Sequence, residues 1–102
     1  MQNYKVEITR AARFDINEVF DFIARDNPVA AARFVKEMER QIRSLKKYPL
    51  RCPVIPEASE LRREYRHMLY GAYRTIFKVG TKSVIIIRVI HGARLLDLSV
   101  FS

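Results

Sequence analysis

Two stretches of helical periodicity, separated by the tripeptide Asp26-Asn27-Pro28, constrain the fold of this chain more than any other feature. In both stretches, apolar side chains recur at intervals of three and four residues, the spacing of one helix face. The apolar positions are Ile16, Val19, Phe20 and Ile23 in the first stretch and Ala31, Phe34, Val35, Met38, Ile42 and Leu45 in the second. Because the break is so short, the two helices should form an antiparallel αα-hairpin.

The ends of both predicted helices carry residues that suit helix termini. Thr9 should cap the first helix, which then runs to about Arg25. Asn27 offers a side-chain oxygen to the free amides of the second helix, and Pro28 suits the first helical position, where no donor is needed. Tyr48-Pro49 should end this second helix, since the residue before a proline avoids helical backbone angles.

Strand patterns flank the helices. One strand is predicted before the hairpin and three follow it, after an irregular loop with two prolines. The segments are Tyr4–Thr9, about Leu61–Leu69, Tyr73–Val79 and Ser83–Ile90, with the loop at Arg51–Ser59. Turns at Gly71-Ala72 and Gly80-Thr81-Lys82 each supply a glycine where a positive φ is expected. The order β-α-α-β-β-β predicts one α+β domain over residues 1–102, with the hairpin packed on one face of a small antiparallel sheet.

The apolar face of the last strand should complete the core. We expect Ile85 and Ile87 to face the helices. His91 is an even number of residues away and should point to the same face of the strand, so it either ends this buried row or has a chemical role. Residues 95–102 are too apolar for a free tail and are expected to pack on the domain or await a partner.

Positive charge is concentrated in the second half of the chain. Between Leu61 and Arg94, eight basic residues face one acid, so this stretch carries +7 of the net charge of +8. Tyr73-Arg74 and Arg88 place arginines within two apolar strands, where an always-charged side chain is costly. We therefore expect a cationic surface for a nucleic acid or an acidic protein, formed by Arg62, Arg63, Arg66, Arg74, Arg88 and Arg94.

Composition excludes several classes of protein. Cys52 is the single cysteine, so neither an intramolecular disulfide nor a cysteine-rich zinc site is available to the chain. The N-terminus lacks the apolar segment of a signal peptide, and no apolar run is longer than Val84–Ile87, which is far too short to cross a membrane. We expect a cytoplasmic protein without a metal or other cofactor.

An ordered series of residues extends over nearly the whole chain: Thr9, Ala12, Asp15-Ile16, Phe22-Ile23-Ala24, Asp26-Asn27-Pro28-Val29-Ala30-Ala31, Phe34, Leu45, Pro49, Leu61-Arg62, Tyr73-Arg74 and His91-Gly92-Ala93-Arg94. This series resembles the RelE/ParE superfamily, the toxins of type II toxin–antitoxin modules. The resemblance implies the β-α-α-β-β-β fold, growth inhibition, plasmid stabilization and a neighbouring antitoxin. It also implies one of two activities, because RelE-like members cleave messenger RNA on the ribosome and ParE-like members inhibit DNA gyrase. The Asp-Asn-Pro-x-Ala-Ala segment favours the ParE side.

If the chain is an mRNA interferase, the resemblance assigns Arg74 and Arg94 to the phosphate in the transition state. The residues available as acid and base differ from the RelE pattern, because this chain lacks the lysines before Tyr-Arg and the tyrosine after the final arginine. A metal-independent nuclease would then depend on His67, His91 or Tyr65, since histidine titrates near neutrality. Enzymatic activity is therefore left open.

Two further expectations concern the charged face. Arg74 has a structural alternative to phosphate binding, an ion pair with Glu64 or Asp97. The antitoxin is expected to be acidic and partly disordered, covering the basic face and the apolar segment from Leu95 to Phe101. The target would be DNA gyrase or ribosome-bound mRNA.

Overall fold

A computed structural model describes residues 3–57 and 64–92 of the chain, and its elements follow the predicted order. The elements are β1 (Lys5–Ile8), α1 (Arg10–Ala24), α2 (Pro28–Ser44), a 3₁₀ turn (Pro49–Arg51), β2 (Arg66–Tyr70), β3 (Tyr73–Val79) and β4 (Ser83–His91). The α+β class with two helices packed on a four-stranded sheet is confirmed. The first part of the strand predicted from Leu61, and the C-terminal segment 95–102, lie outside the described residues.

Both predicted helix caps are confirmed. The Thr9 hydroxyl accepts a hydrogen bond from the Ala12 amide at 3.1 Å, and the Asn27 side-chain oxygen accepts one from the Ala30 amide at 3.0 Å. Pro28 occupies the first position of α2, where it costs no hydrogen bond. These caps fix where each helix begins, and therefore which face each helix turns to the sheet.

The sheet is mixed, whereas the sequence analysis predicted an antiparallel one. Its strand order is β1-β4-β3-β2, in which β2, β3 and β4 form an antiparallel meander and β1 pairs in parallel with β4. No tight turn joins β1 to its neighbour, because the two helices and two strands intervene, so turn chemistry does not set its direction. In the two turns of the meander, Gly71 has the expected positive φ of 55°, but Gly80 is not among the positive-φ glycines.

A β-bulge in β4 changes which side chains face the helices. Ile76 lies opposite Arg88 while the next residue, Phe77, lies opposite Ile86, so Ile87 is an extra residue in the ladder. Val84 and Ile86 face the helices before the bulge, and Val89 faces them after it. The prediction that Ile85 and Ile87 face the helices was wrong, because it assumed an uninterrupted alternation.

The main core lies between the helices and the sheet. Phe34, Met38 and Leu45 of the second helical stripe are almost completely buried, as predicted. Ile16, Val19, Ile23 and Ile42 are half-buried and pack around them. A second, smaller cluster covers the other face of the sheet, where the loop before β2 brings Ile55 and Tyr65 against Ile76, Ile90 and Ile87.

Candidate functional site

The Tyr73-Arg74 pair at the start of β3 places its two side chains on opposite faces of the sheet. Tyr73 packs on the helix side, where its ring lies 5.5 Å from that of Phe34. Arg74 points to the other face, between its strand partners Leu69 and Ile90, and its residue is only 6% exposed. The arginine singled out from the sequence is therefore a mostly buried side chain.

A carboxylate from the loop before β2 holds the Arg74 guanidinium in a two-pronged ion pair. Arg74 Nη1 donates to Glu57 Oε1 at 3.2 Å and Nη2 donates to Oε2 at 2.8 Å. These hydrogen bonds lower the pKa of Glu57, against the opposing effect of burial. An ion pair was the structural alternative predicted for Arg74, and Glu57 provides it, whereas the predicted partner Glu64 pairs with Arg66 at 2.6 Å. The other predicted partner, Asp97, lies outside the described residues.

His67 lies on β2, on the same face of the sheet as Arg74 and Glu57. Burial lowers the pKa of His67, and the positive charge of Arg74 lowers it further, while Glu57 acts in the opposite direction. The Nδ1 atom of His67 is buried and has no hydrogen-bond partner among residues 3–57 and 64–92. The three side chains thus form one cluster of a cation, an anion and an imidazole that is favoured in its neutral form.

His91, the second candidate histidine, lies on the helix side of the sheet at the end of β4. It is exposed, it pairs with Tyr73 in the strand ladder, and the two rings meet edge to face at 5.6 Å. Since His67 lies on the opposite face, the structure does not bring the two histidines together. Tyr65, the other candidate acid or base, is buried in the smaller cluster.

The remaining predicted cations also have carboxylate partners where the structure describes them. Arg66 donates to Glu64 and to the Cys52 carbonyl, both at 2.6 Å. Arg88 donates to both carboxylate oxygens of Asp15, at 2.6 and 2.9 Å, which raises the pKa of Arg88. Arg62, Arg63 and Arg94 lie outside the described residues, so the predicted cationic surface is described in part only.

A groove that was not predicted from the sequence lies between α1 and the end of β4. Two exposed aromatic side chains form its rim, Phe14 at 63% and Phe22 at 64% exposure, with Glu18 between them on the helix surface. Tyr73, Val89 and His91 line the strand side. The signal in the sequence was that Phe14 and Phe22 lie outside the apolar stripe of α1 and eight residues apart, on the same side of the helix, because a contiguous exposed apolar patch marks an interaction site.

Two other kinds of site are absent from the described part of the chain. No group of three or more histidine, cysteine or acidic residues there is placed to hold a metal ion. No helix there is both long and apolar enough to span a membrane.

Comparison with known proteins identifies the family to which this chain belongs. The profile of the ParE toxin of the type II toxin–antitoxin system parDE matches residues 6–96, which is most of the chain. No match is found among curated proteins.

Two solved structures resemble the fold. The chromosomal ParDE toxin–antitoxin system from P. aeruginosa contains a chain that is 18% identical, with a TM-score of 0.67 over 86% of this chain and 95% of that one. The toxin–antitoxin complex RelBE2 from Mycobacterium tuberculosis contains one that is 26% identical, with a TM-score of 0.59 over 92% of this chain and 97% of that one. Because the family profile covers far more than half of the residues, the chain belongs to the ParE toxin family of type II toxin–antitoxin systems.

Proposed function

We propose that this ParE-family toxin inhibits DNA gyrase by binding it, acts in the cytoplasm, and does not itself cleave RNA. The observation that carries the proposal is the closed ion pair between Arg74 and Glu57 on the non-helix face of the sheet. An mRNA interferase needs a cation that can meet the transition-state phosphate, together with an acid and a base beside it. Here the cation of the Tyr-Arg motif is buried and already neutralised by a carboxylate.

The two histidines support the same reading. Proton transfer in a single step requires the acid and the base to flank the same reacting group within hydrogen-bond reach. His67 and His91 lie on opposite faces of the sheet, so they cannot flank one phosphate. Glu57 beside His67 would also repel an incoming phosphate, because both carry negative charge.

The antitoxin, in this proposal, docks in the groove between α1 and β4. Phe14 and Phe22 offer apolar surface there, whereas three of the six arginines first considered for binding are held by their own carboxylates. Aromatic anchors in a groove contribute more affinity than exposed charges, which mainly speed association. An acidic antitoxin segment would still be attracted by the net charge of +8.

A paired assay on the purified protein tests the activity. Supercoiling by gyrase should be inhibited, and cleaved plasmid should accumulate, in proportion to the amount of toxin added. In a translation mixture that lacks gyrase, ribosome-bound messages should remain intact. Cleavage of those messages together with normal supercoiling would reject the gyrase proposal in favour of the RelE-like nuclease.

A further inference from the structure

The exposed side of α2 carries a row of four cations that neither the core nor the cluster around Arg74 uses. Arg33, Lys36, Arg40 and Arg43 are exposed and follow one another at intervals of three, four and three residues, which places them along one line of the helix. The buried residues of α2 lie on its opposite side: Ala31, Phe34, Met38 and Gln41. This row, the α2 cationic row, extends for about 15 Å at the rise of an α-helix.

Helix stabilisation does not account for the row. A cation contributes to the stability of a helix by interacting with the C-terminal dipole only in the last turn, which contains Arg43 but not Arg33 or Lys36. Arg40 alone in the row is ion-paired within the described residues, to Glu37, and exposed pairs of this kind exchange partners at little cost.

We propose that the α2 cationic row binds the phosphate backbone of duplex DNA. From residue 33 to residue 43, the exposed side chains of α2 are these four cations and Glu39, with no apolar side chain among them. Protein interfaces have a core in which aromatic side chains are enriched and charged ones are depleted, and this stretch exposes no aromatic or other apolar side chain that could form such a core. Single-stranded nucleic acid is bound on aromatic platforms, and the row has none. A regular row of charges without apolar or aromatic contacts fits duplex phosphates, which attract cations without regard to sequence.

The proposal goes beyond gyrase inhibition and does not require it. A toxin whose α2 holds duplex DNA would be concentrated on the substrate of a topoisomerase, while the α1 groove remains free for a protein. The outer surfaces of the two helices differ accordingly: α1 exposes Phe14 and Phe22, whereas α2 exposes the cations.

Binding of the full chain to a fluorescent DNA duplex of random sequence, measured at several salt concentrations, tests the proposal. Each phosphate contact contributes about 0.9 to the slope of log K against log salt concentration. The Lys36→Gln/Arg43→Gln double variant should therefore flatten the slope by about two and weaken binding at low salt by about tenfold or more. Lys78→Gln/Lys82→Gln removes the same charge from exposed positions outside the helices and should leave the slope unchanged.

Three results would overturn the proposal. Equal losses in the two double variants would mean that net charge alone attracts the DNA. Tighter binding to single-stranded RNA of the same length, lost in the α2 double variant, would assign the row to a different nucleic acid. Displacement of the duplex from the row by polyglutamate at equal charge concentration would assign the row to acidic protein segments. All four substituted residues are exposed, so melting temperatures close to that of the wild type should show that folding is intact.

Discussion

Asp15 and Arg88 join α1 to β4 at the bulge, where the Arg88 guanidinium donates two hydrogen bonds to the Asp15 carboxylate. The same carboxylate also accepts a hydrogen bond from the Val89 amide at 2.9 Å. Thr9, one residue before α1, donates its hydroxyl to the Ile87 carbonyl at 3.0 Å. Because β1, which pairs with β4, ends at Ile8, the next residues of β4 have no strand partner on that side. The side chains of Thr9 and Asp15 bond to the Ile87 carbonyl and the Val89 amide instead.

Removal of the Asp15 carboxylate should destabilise the fold strongly. Asp15→Ala leaves a half-buried guanidinium and a buried amide without their acceptor, and we expect a loss of about 3 kcal/mol in the free energy of unfolding. Asp21→Ala, on the exposed side of the same helix, is the control and should change stability by about 0.5 kcal/mol or less. Urea denaturation of both variants measures the difference, and similar stabilities would contradict a bridging role for Asp15.

Truncation of Phe34 tests the helix phase that the sequence predicted. Phe34 is 2% exposed and packs with Met38 and Val89, so Phe34→Ala should cost about 3–5 kcal/mol. Phe22→Ala removes the same ring from a position on α1 that is 64% exposed, and its melting temperature should stay near that of the wild type. A Phe34→Ala protein that melts like the wild type would contradict the core described above.

The helices were predictable from sequence because each depends on local signals. Thr9 and Asn27 bind amides three residues away, and the apolar stripe of α2 leads directly to its buried side chains. The direction of β1 depends instead on pairing with β4, about 80 residues away in the chain, and the bulge at Ile87 depends on the register of β4 against β3. Local periodicity is insensitive to both. Arginine in a strand looked like a binding group because nothing in the sequence connected Arg74 to Glu57.

Acid should weaken the folded state through the cluster around Arg74. The pKa of His67 is lowered in the folded protein, so the unfolded chain takes up this proton more readily. Stability should therefore begin to fall as the pH decreases below about 6.5, the ordinary pKa of histidine. The pKa of Glu57 is also lowered, so its contribution is present above the ordinary pKa of glutamate and is lost as the pH falls through the lower folded-state value.

Denaturant titrations between pH 8 and pH 5 measure this effect for the wild type and for His67→Gln. The variant should lose the part of the pH dependence that begins near neutrality, because glutamine does not titrate. His91→Gln removes the other histidine and serves as the control, which should keep the wild-type dependence. If the two variants behaved alike, the lowered pKa of His67 would not govern acid stability.

The groove between α1 and β4 should determine antitoxin affinity. Phe14→Ser and Phe22→Ser each remove an exposed aromatic side chain from the rim and should weaken binding of the cognate antitoxin by about tenfold or more. Val29→Ser and Leu69→Ser remove apolar surface that is equally exposed but lies elsewhere, on α2 and β2, and serve as controls. Calorimetric titration of each toxin variant with the antitoxin gives the affinities, and equal losses at all four positions would argue against a localised docking groove.

Growth arrest by histidine variants should separate the two activities. If the toxin inhibits gyrase by binding, His67→Ala and His91→Ala should remain toxic, since binding requires no proton transfer. Induced cells should show DNA breaks with intact transcripts, and Glu57→Gln, which keeps the size of the side chain and removes its charge, should leave that pattern unchanged. An mRNA interferase would behave differently: Arg74→Ala would abolish transcript cleavage, and loss of the catalytic histidine would remove the pH dependence of the cleavage rate near neutrality. Transcript cleavage on ribosomes that disappears in a histidine variant, without DNA breaks, would contradict the gyrase proposal.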